Sequence, residues 1–165
     1  MLYLLDADVL IRADRVYYPP NRFPIFWSWL VHMGTIGTVK VPREQYDEIT
    51  NGRGQLVDWL KTEDVKEPLL LKEEADPVFV AEVTLKGYGQ LDEVGLEKVG
   101  RDPFLISYGY ADKAGRTIVT LEVSAPRRQG ANRKIPDVCA DLGIASCDLF
   151  ELINVLDFTT DWRPR

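Results

Sequence analysis

Asp6 and Asp8, one residue apart in Leu4-Leu5-Asp6-Ala7-Asp8-Val9-Leu10-Ile11, are the side chains of this sequence best placed to do chemistry. An apolar run leads into the pair and resumes directly after it. Carboxylates are costly to place at the end of a buried strand unless something cationic meets them there. Parallel α/β sheets bind ligands just beyond the carboxyl ends of their strands, where such a pair would sit. The cation that suits two carboxylates is hard, divalent and oxygen-seeking, Mg²⁺ or Mn²⁺. Three more acids fall at expected element boundaries: Glu48 within a helix, Asp102 at a helix start and Glu122 directly after a strand.

The elements that must position these acids follow from the pattern of the chain. Residues 2–6 read as a buried strand, with a short helix from Asp8 onward. Tyr17-Tyr18-Pro19-Pro20-Asn21 forces an irregular connection, because proline fixes its own backbone and restrains its neighbour. Pro24 suits the first turn of a helix whose Phe26, Trp29, Leu30 and Met33 recur at helical spacing, a stripe for the core or for a dimer or partner groove. Thr38–Val41 is strand-like, and Pro42 opens a helix through Ile49 that Asn51-Gly52 stops. A helix follows around Leu56–Leu60. Residues 62–75 have no clear assignment, although Leu69-Leu70-Leu71 suits a strand. Helices are expected at Val78–Leu85 and Leu91–Val99, split by Gly87-Tyr88-Gly89, and again from Asp102, which is placed to cap its helix. Thr117-Ile118-Val119-Thr120-Leu121 is the clearest β-branched strand. A polar loop spans Ser124–Asn132, Pro136 begins a short helix, Ile144–Ser146 is a brief strand, and Asp148 caps a last helix through Leu156. Strands alternating with helices predict an α/β fold, three layers deep, around a central mostly parallel sheet. One domain over residues 1–158 is expected, with a loosely held tail at 159–165.

Composition narrows the chemistry. The chain has 165 residues, 45% hydrophobic and 28% charged, as in an ordinary globular domain. No apolar run approaches the roughly 20 residues that span a bilayer. Asp6 interrupts the N-terminus before a signal-peptide core can form, so a cytoplasmic location and no membrane partner are expected. Cys139 and Cys147 are the only cysteines; they suit small buried hydrophobes, with a disulfide as the alternative. His32, the only histidine, lies in an aromatic helix and suits packing. A two-histidine acid–base site is therefore excluded, and a Cys/His zinc site is disfavoured.

The net charge of −6 is unlike that of most nucleic-acid enzymes, but it is unevenly spread. Lys113, Arg116, Arg127, Arg128, Arg133 and Lys134 face Glu122 alone over residues 113–134. Arg116, Arg127, Arg128, Arg133 and Lys134 are the candidate RNA contacts; the alternative is a solvated basic loop.

The order of the acidic stations resembles the PIN-domain nuclease family, which includes the VapC-type toxins of bacterial toxin–antitoxin pairs. Leu5-Asp6-Ala7-Asp8-Val9-Leu10-Ile11 resembles the family's opening Leu-Asp-x-Asn/Asp-x-Leu-Ile, and Tyr46-Asp47-Glu48-Ile49 its helical x-x-Glu-Leu/Ile. Asp102 before Ile106-Ser107-Tyr108-Gly109-Tyr110-Ala111 is similar to the acid that begins the penultimate helix. Thr117-Ile118-Val119-Thr120-Leu121-Glu122 is similar to the terminal strand motif. Phe26–Leu30 and Lys134–Cys139 resemble segments of one little-characterised branch. Two departures stand out: Asp8 where Asn or Ser is commoner, and Glu122 where Asp is usual.

The resemblance implies a PIN-like fold and a Mg²⁺- or Mn²⁺-dependent endoribonuclease, with one or two ions per site. It makes Asp6, Glu48, Asp102 and Glu122 catalytic, and Asp6, Asp8, Glu48, Asp102 and Glu122 the metal set. Asp6, Glu48 and Asp102 are then the principal ligands. Glu44, one turn before Glu48, lies on the same face as an assistant or a solvated acid. Thr120 either holds a ligand or simply favours the strand. The family also implies an RNA substrate, a toxin role with an antitoxin that covers the acidic cleft and docks on exposed aromatics near Trp27, and a possible homodimer.

Two rivals differ in kind. Asp6-Ala7-Asp8-Val9 also meets the nucleophile motif of HAD-like Mg²⁺-dependent phosphatases, with Asp6 attacking, but Cys147-Asp148 after the later strand lacks the acidic pair that chemistry needs. A catalytically inactive PIN-like module binding RNA or protein is the non-enzymatic reading.

Overall fold

The computed structural model describes residues 1–164; Arg165 lies outside the described residues. Four strands form one all-parallel sheet in the order β2-β1-β3-β4: β1 is Leu2–Leu5, β2 Val39–Lys40, β3 Arg116–Val119 and β4 Ala145–Cys147. Helices cover both faces, giving the expected three-layer α/β/α fold. β1 and β3 run in register, Leu4 against Ile118 and Leu5 against Val119.

Because strand side chains alternate between faces, the sheet divides the core in two. Leu4 and Ile118 join Val83, Ile106, Tyr108 and Val138 on one side. Leu5, Val39 and Val119 join Phe26, Trp29, Leu60 and Leu149 on the other. The first side is built by α6 (Pro77–Val83), α8 (Asp102–Ala111) and α9 (Ile135–Leu142), the second by α1 (Ala7–Arg12), α2 (Pro24–Thr35), α4 (Gln55–Leu60), α5 (Glu63–Leu69) and α10 (Leu149–Val155). The helices α3 (Arg43–Thr50) and α7 (Glu93–Val99) complete the chain.

The aromatic stripe of α2 is core. Phe26 stacks on Tyr18 with ring centroids 4.3 Å apart, and Phe158 meets Phe26 and Trp29 from the C-terminal segment. That segment is less loose than its composition suggests, since Trp162 lies 5.3 Å from the His32 ring. His32 thus has the packing role expected of it. Both cysteines are free thiols, and burial pushes each up to about 12.

The unassigned stretch 62–75 contains α5, and Leu70 makes a single parallel bridge to Val41 rather than a strand. Pro68 sits inside that last turn, which explains why sequence punctuation concealed the helix. Asp148 and Glu151 form the expected cap of α10 by satisfying each other's backbone N–H groups. Among the described residues, no helix is long and apolar enough to cross a membrane.

Candidate active site at the carboxyl ends of the central strands

The first strand ends at Leu5, and Asp6 turns the chain directly into α1. Its Oδ1 accepts from Ala7 N at 2.8 Å, so Asp6 is itself the cap of that helix. Its Oδ2 accepts from the Thr120 hydroxyl at 2.8 Å across the β1–β3 boundary. Thr120 Oγ1 also accepts from Glu122 N at 3.2 Å, and Asp8 Oδ1 accepts from Leu121 N at 3.3 Å. The residues just past β3 therefore hold the first acidic pair in place. Thr120, left open between two roles by the sequence, is a positioning residue for Asp6.

Asp6 is 7% exposed, and burial is the largest reason its carboxyl lies well above the ordinary 3.8. Asp8 and Asp102 add to the rise by like-charge repulsion, while the bonds from Thr120 and Ala7 oppose it. Burial also raises Asp8, against the bond from Leu121 N and the positive charge of Arg12.

Asp102 is reached from the other side of the sheet. It is the first residue of α8, with Arg101 before it in the capping position and no side-chain cap, so it does not cap the helix as its sequence suggests. Burial, followed by the charges of Glu122 and Glu48, pushes its carboxyl up to about 7, and Lys134 pulls it down. A helix start favours a negative charge by about 0.3–1 kcal/mol, less than one tenfold change in proton affinity, so burial and repulsion win.

Two bonds tie α3 to the start of α8. Arg101 Nη1 donates to Glu44 O at 2.8 Å, and Gln45 Nε2 donates to Arg101 O at 3.2 Å. They bring Glu48, exposed near the end of α3, within electrostatic range of Asp102. Glu44 is not a free assistant to Glu48: its Oε2 accepts from the buried Tyr108 hydroxyl at 3.1 Å.

Glu122 lies three residues past the end of β3, not directly after it, and both of its oxygens are engaged. Oε1 accepts from Lys134 Nζ at 2.6 Å and Oε2 from Ile135 N at 2.8 Å, so it closes the start of α9. Among the described residues, no three His, Cys, Asp or Glu side chains close around a common point at coordination distance. The five acids share one end of the sheet, and the charges of the others bear on Asp6, Asp8 and Asp102, but they do not form the single gathered pocket that the sequence led us to expect.

The expected basic face is largely consumed by internal contacts. Arg116 lies at the opposite, amino-terminal end of β3, paired with Glu73 at 2.7 Å and donating to Tyr108 O at 3.1 Å, which removes it from the acidic end. Arg133 donates to Gly87 O at 2.6 Å and pairs with Asp141, while Lys134 is held by Glu122. Arg127 and Arg128 alone of the five candidates are exposed and outside the ion pairs of the described residues. Asp137 accepts from Ala125 N at 2.7 Å and so anchors the loop that carries them.

Sequence reasoning overlooked Tyr88. It closes a π-helical turn, Thr84–Tyr88, and its buried hydroxyl has no hydrogen-bond partner among the described residues. Burial, and then the charges of Asp102, Cys139 and Glu122, raise its proton affinity, which places it in the acidic neighbourhood. A Cβ at Gly87 would lie 2.5 Å from Val138 Cγ1, so only glycine lets this turn meet α9. The Gly-Tyr-Gly triplet reads in sequence as a simple break; its packing role depends on Val138 of α9, 51 residues on from Gly87.

No curated protein and no solved structure matches the chain. Residues 3–160 match a family described as a domain of unknown function (DUF4411), which covers almost the whole chain and all five acids. The chain belongs to that family.

Proposed function

We propose that this protein is a divalent-metal-dependent endoribonuclease whose chemistry is done at the carboxyl ends of β1 and β3. The observation that carries the reading is the crowding of like charge around two buried carboxyls: Asp8 and Asp102 act on Asp6, and Glu122, Glu48 and Asp8 act on Asp102. A scaffold that only binds has no need to crowd partly buried like charges, which disfavour folding until a cation meets them.

The donor set fits a hard divalent ion by its chemistry: oxygen ligands only, with no histidine or cysteine among the acids. Asp6, Asp102 and Glu48 would hold the ion, with Asp8 and Glu122 beside them. Because no three of these side chains stand at coordination distance of one point, they would have to draw together or reach it through water. When bound, such an ion polarises a phosphoryl oxygen and lowers the pKa of water to generate a nucleophile. The chain's own residues prepare this arrangement. Thr120 and Ala7 N fix the Asp6 carboxylate, so that its orientation does not depend on the ligand. Lys134 offsets the charge of Glu122 and limits the rise at Asp102. Asp102, near 7, holds a proton at mildly acidic pH and releases it above neutrality.

The phosphatase reading has less support, because the strand Ala145–Cys147 is followed by Asp148 alone, which caps α10, and not by the acidic pair that chemistry needs. The resemblance to PIN-domain nucleases supports RNA as substrate, a cytoplasmic toxin role, an antitoxin and a homodimer.

The test is incubation of end-labelled oligoribonucleotides with the full chain and Mg²⁺ or Mn²⁺. Internal cleavage that disappears with excess chelator and in Asp102→Asn is expected. Release of phosphate from small monoesters with no cleavage of RNA would overturn the reading in favour of the phosphatase.

A further inference from the structure

A polar cavity opens beside Glu48, outside the 127–134 loop. It has a volume of about 370 Å³ and is bordered by Glu48 of α3, Asp14 and Arg15 after α1, and the loop Gly52-Arg53-Gly54 that leads into α4. That volume falls within the roughly 300–1,000 Å³ of ligand sites. Arg15 and Arg53 are exposed and enter none of the ion pairs of the described residues. They differ in this from Arg116, Arg133 and Lys134, whose charges are spent inside the fold. Gly54 turns the loop into α4 with φ +124°, a conformation that side chains resist, and nothing stands within 4 Å of where its Cβ would be.

We propose that this groove carries the phosphate backbone of a single-stranded RNA into the acidic end, with Arg15 and Arg53 as the phosphate-binding residues. The inference rests on the nuclease reading and deepens it by assigning the strand's path. Two unpaired guanidinium groups on a polar groove suit phosphodiesters, since each offers a planar fork of donors that matches phosphate oxygens. The groove shares one residue with the chemistry, because Glu48 borders it and acts electrostatically on Asp102. Of its two acids, Glu48 belongs to the set that would hold the cation, and Asp14 stands beside Arg15, whose positive charge acts on it.

The test is fluorescence anisotropy of a labelled single-stranded oligoribonucleotide with full chain carrying Asp102→Asn, so that binding is read without cleavage. Into this parent go either Arg15→Gln with Arg53→Gln, or Arg127→Gln with Arg128→Gln. All four side chains are exposed, and unchanged thermal midpoints confirm that the fold is intact. The first pair is expected to weaken binding about tenfold or more and to reduce the slope of log affinity against log salt by about 1–1.4, the loss of two phosphate contacts on a single strand. The second pair, which lies outside the groove, is expected to weaken binding less than the first does. Binding that survives the first pair but falls with the second overturns the groove and leaves the nuclease reading intact. A parent that binds no RNA, with a wild-type chain that cleaves none, overturns both.

Discussion

The two ends of the parallel sheet treat charge in opposite ways. At the amino-terminal end of β3, Arg116 meets Glu73 in a two-pronged pair and also donates to the Tyr108 carbonyl. At the carboxyl end, a few residues along the same strand, Asp6, Asp8, Asp102 and Glu122 repel one another, with Lys134 as the cation that offsets them. The first arrangement satisfies its charges and supports the fold. The second leaves a deficit of positive charge in a partly buried place, which costs stability and suits a cation. The contrast separates residues that build the molecule from those we assign to its chemistry, and substitutions at the two ends should have opposite signatures.

The largest effect is expected at the acidic end. Asp102→Asn should lower RNA cleavage by at least about 1,000-fold, of order 4 kcal/mol in the barrier, while the thermal midpoint at pH 7.5 stays level or rises. A variant that loses activity only in proportion to lost stability would make Asp102 a structural residue and erase the contrast.

The pH dependence of folding comes next. A carboxyl whose affinity for protons is higher in the folded chain favours folding when protonated. The benefit is complete below the ordinary 3.8 and is lost as pH rises through the folded value. For Asp102 that window runs from about 4 to about 7, and roughly 2–4 kcal/mol is at stake. Asp6 adds to it in the same direction. Urea unfolding between pH 4 and 8 should therefore show falling stability, with a shallower fall in Asp102→Asn. Stability that rises over this range would contradict the repulsion.

Thr120→Val should destabilise the chain by about 1–3 kcal/mol, because the hydroxyl that donates to Asp6 Oδ2 is lost inside a buried contact. Denaturant titration measures the loss, and cleavage should drop with it because Asp6 is no longer held. At the paired end, Arg116→Ala should cost about 1 kcal/mol by the same titration, with cleavage unchanged per folded molecule. The smallest effect is at Tyr88. Its hydroxyl has no partner to lose, so Tyr88→Phe should leave stability level or raise it by up to about 1 kcal/mol.

These expectations show where the sequence was informative. The sheet was legible because the strand cores are short apolar runs, and Asp6 because a carboxylate at such a run's end has few structural uses. Helix starts at Pro24 and Asp148 carried local signals and appear where expected. The location of the basic side chains was not legible. Arg116, Arg133 and Lys134 form one basic stretch in sequence, yet each meets a carboxylate supplied by tertiary structure: Glu73, Asp141 and Glu122. Arg15 and Arg53 attracted no notice because they are 38 residues apart in numbering and share a groove only after α1 and α3 pack. The engagement of Glu122 by α9 was hidden for the same reason, since pattern along the chain reports local structure and not which partner a charge will find.

The most direct test of the central claim is Mn²⁺ binding followed by electron paramagnetic resonance at pH 7.5. Wild-type chain should bind one or two ions, and Asp6→Asn, Asp102→Asn and Glu48→Gln should each weaken binding at least tenfold, while Arg116→Ala leaves it unchanged. Equal Mn²⁺ affinity in wild type and all three carboxylate variants would contradict the account.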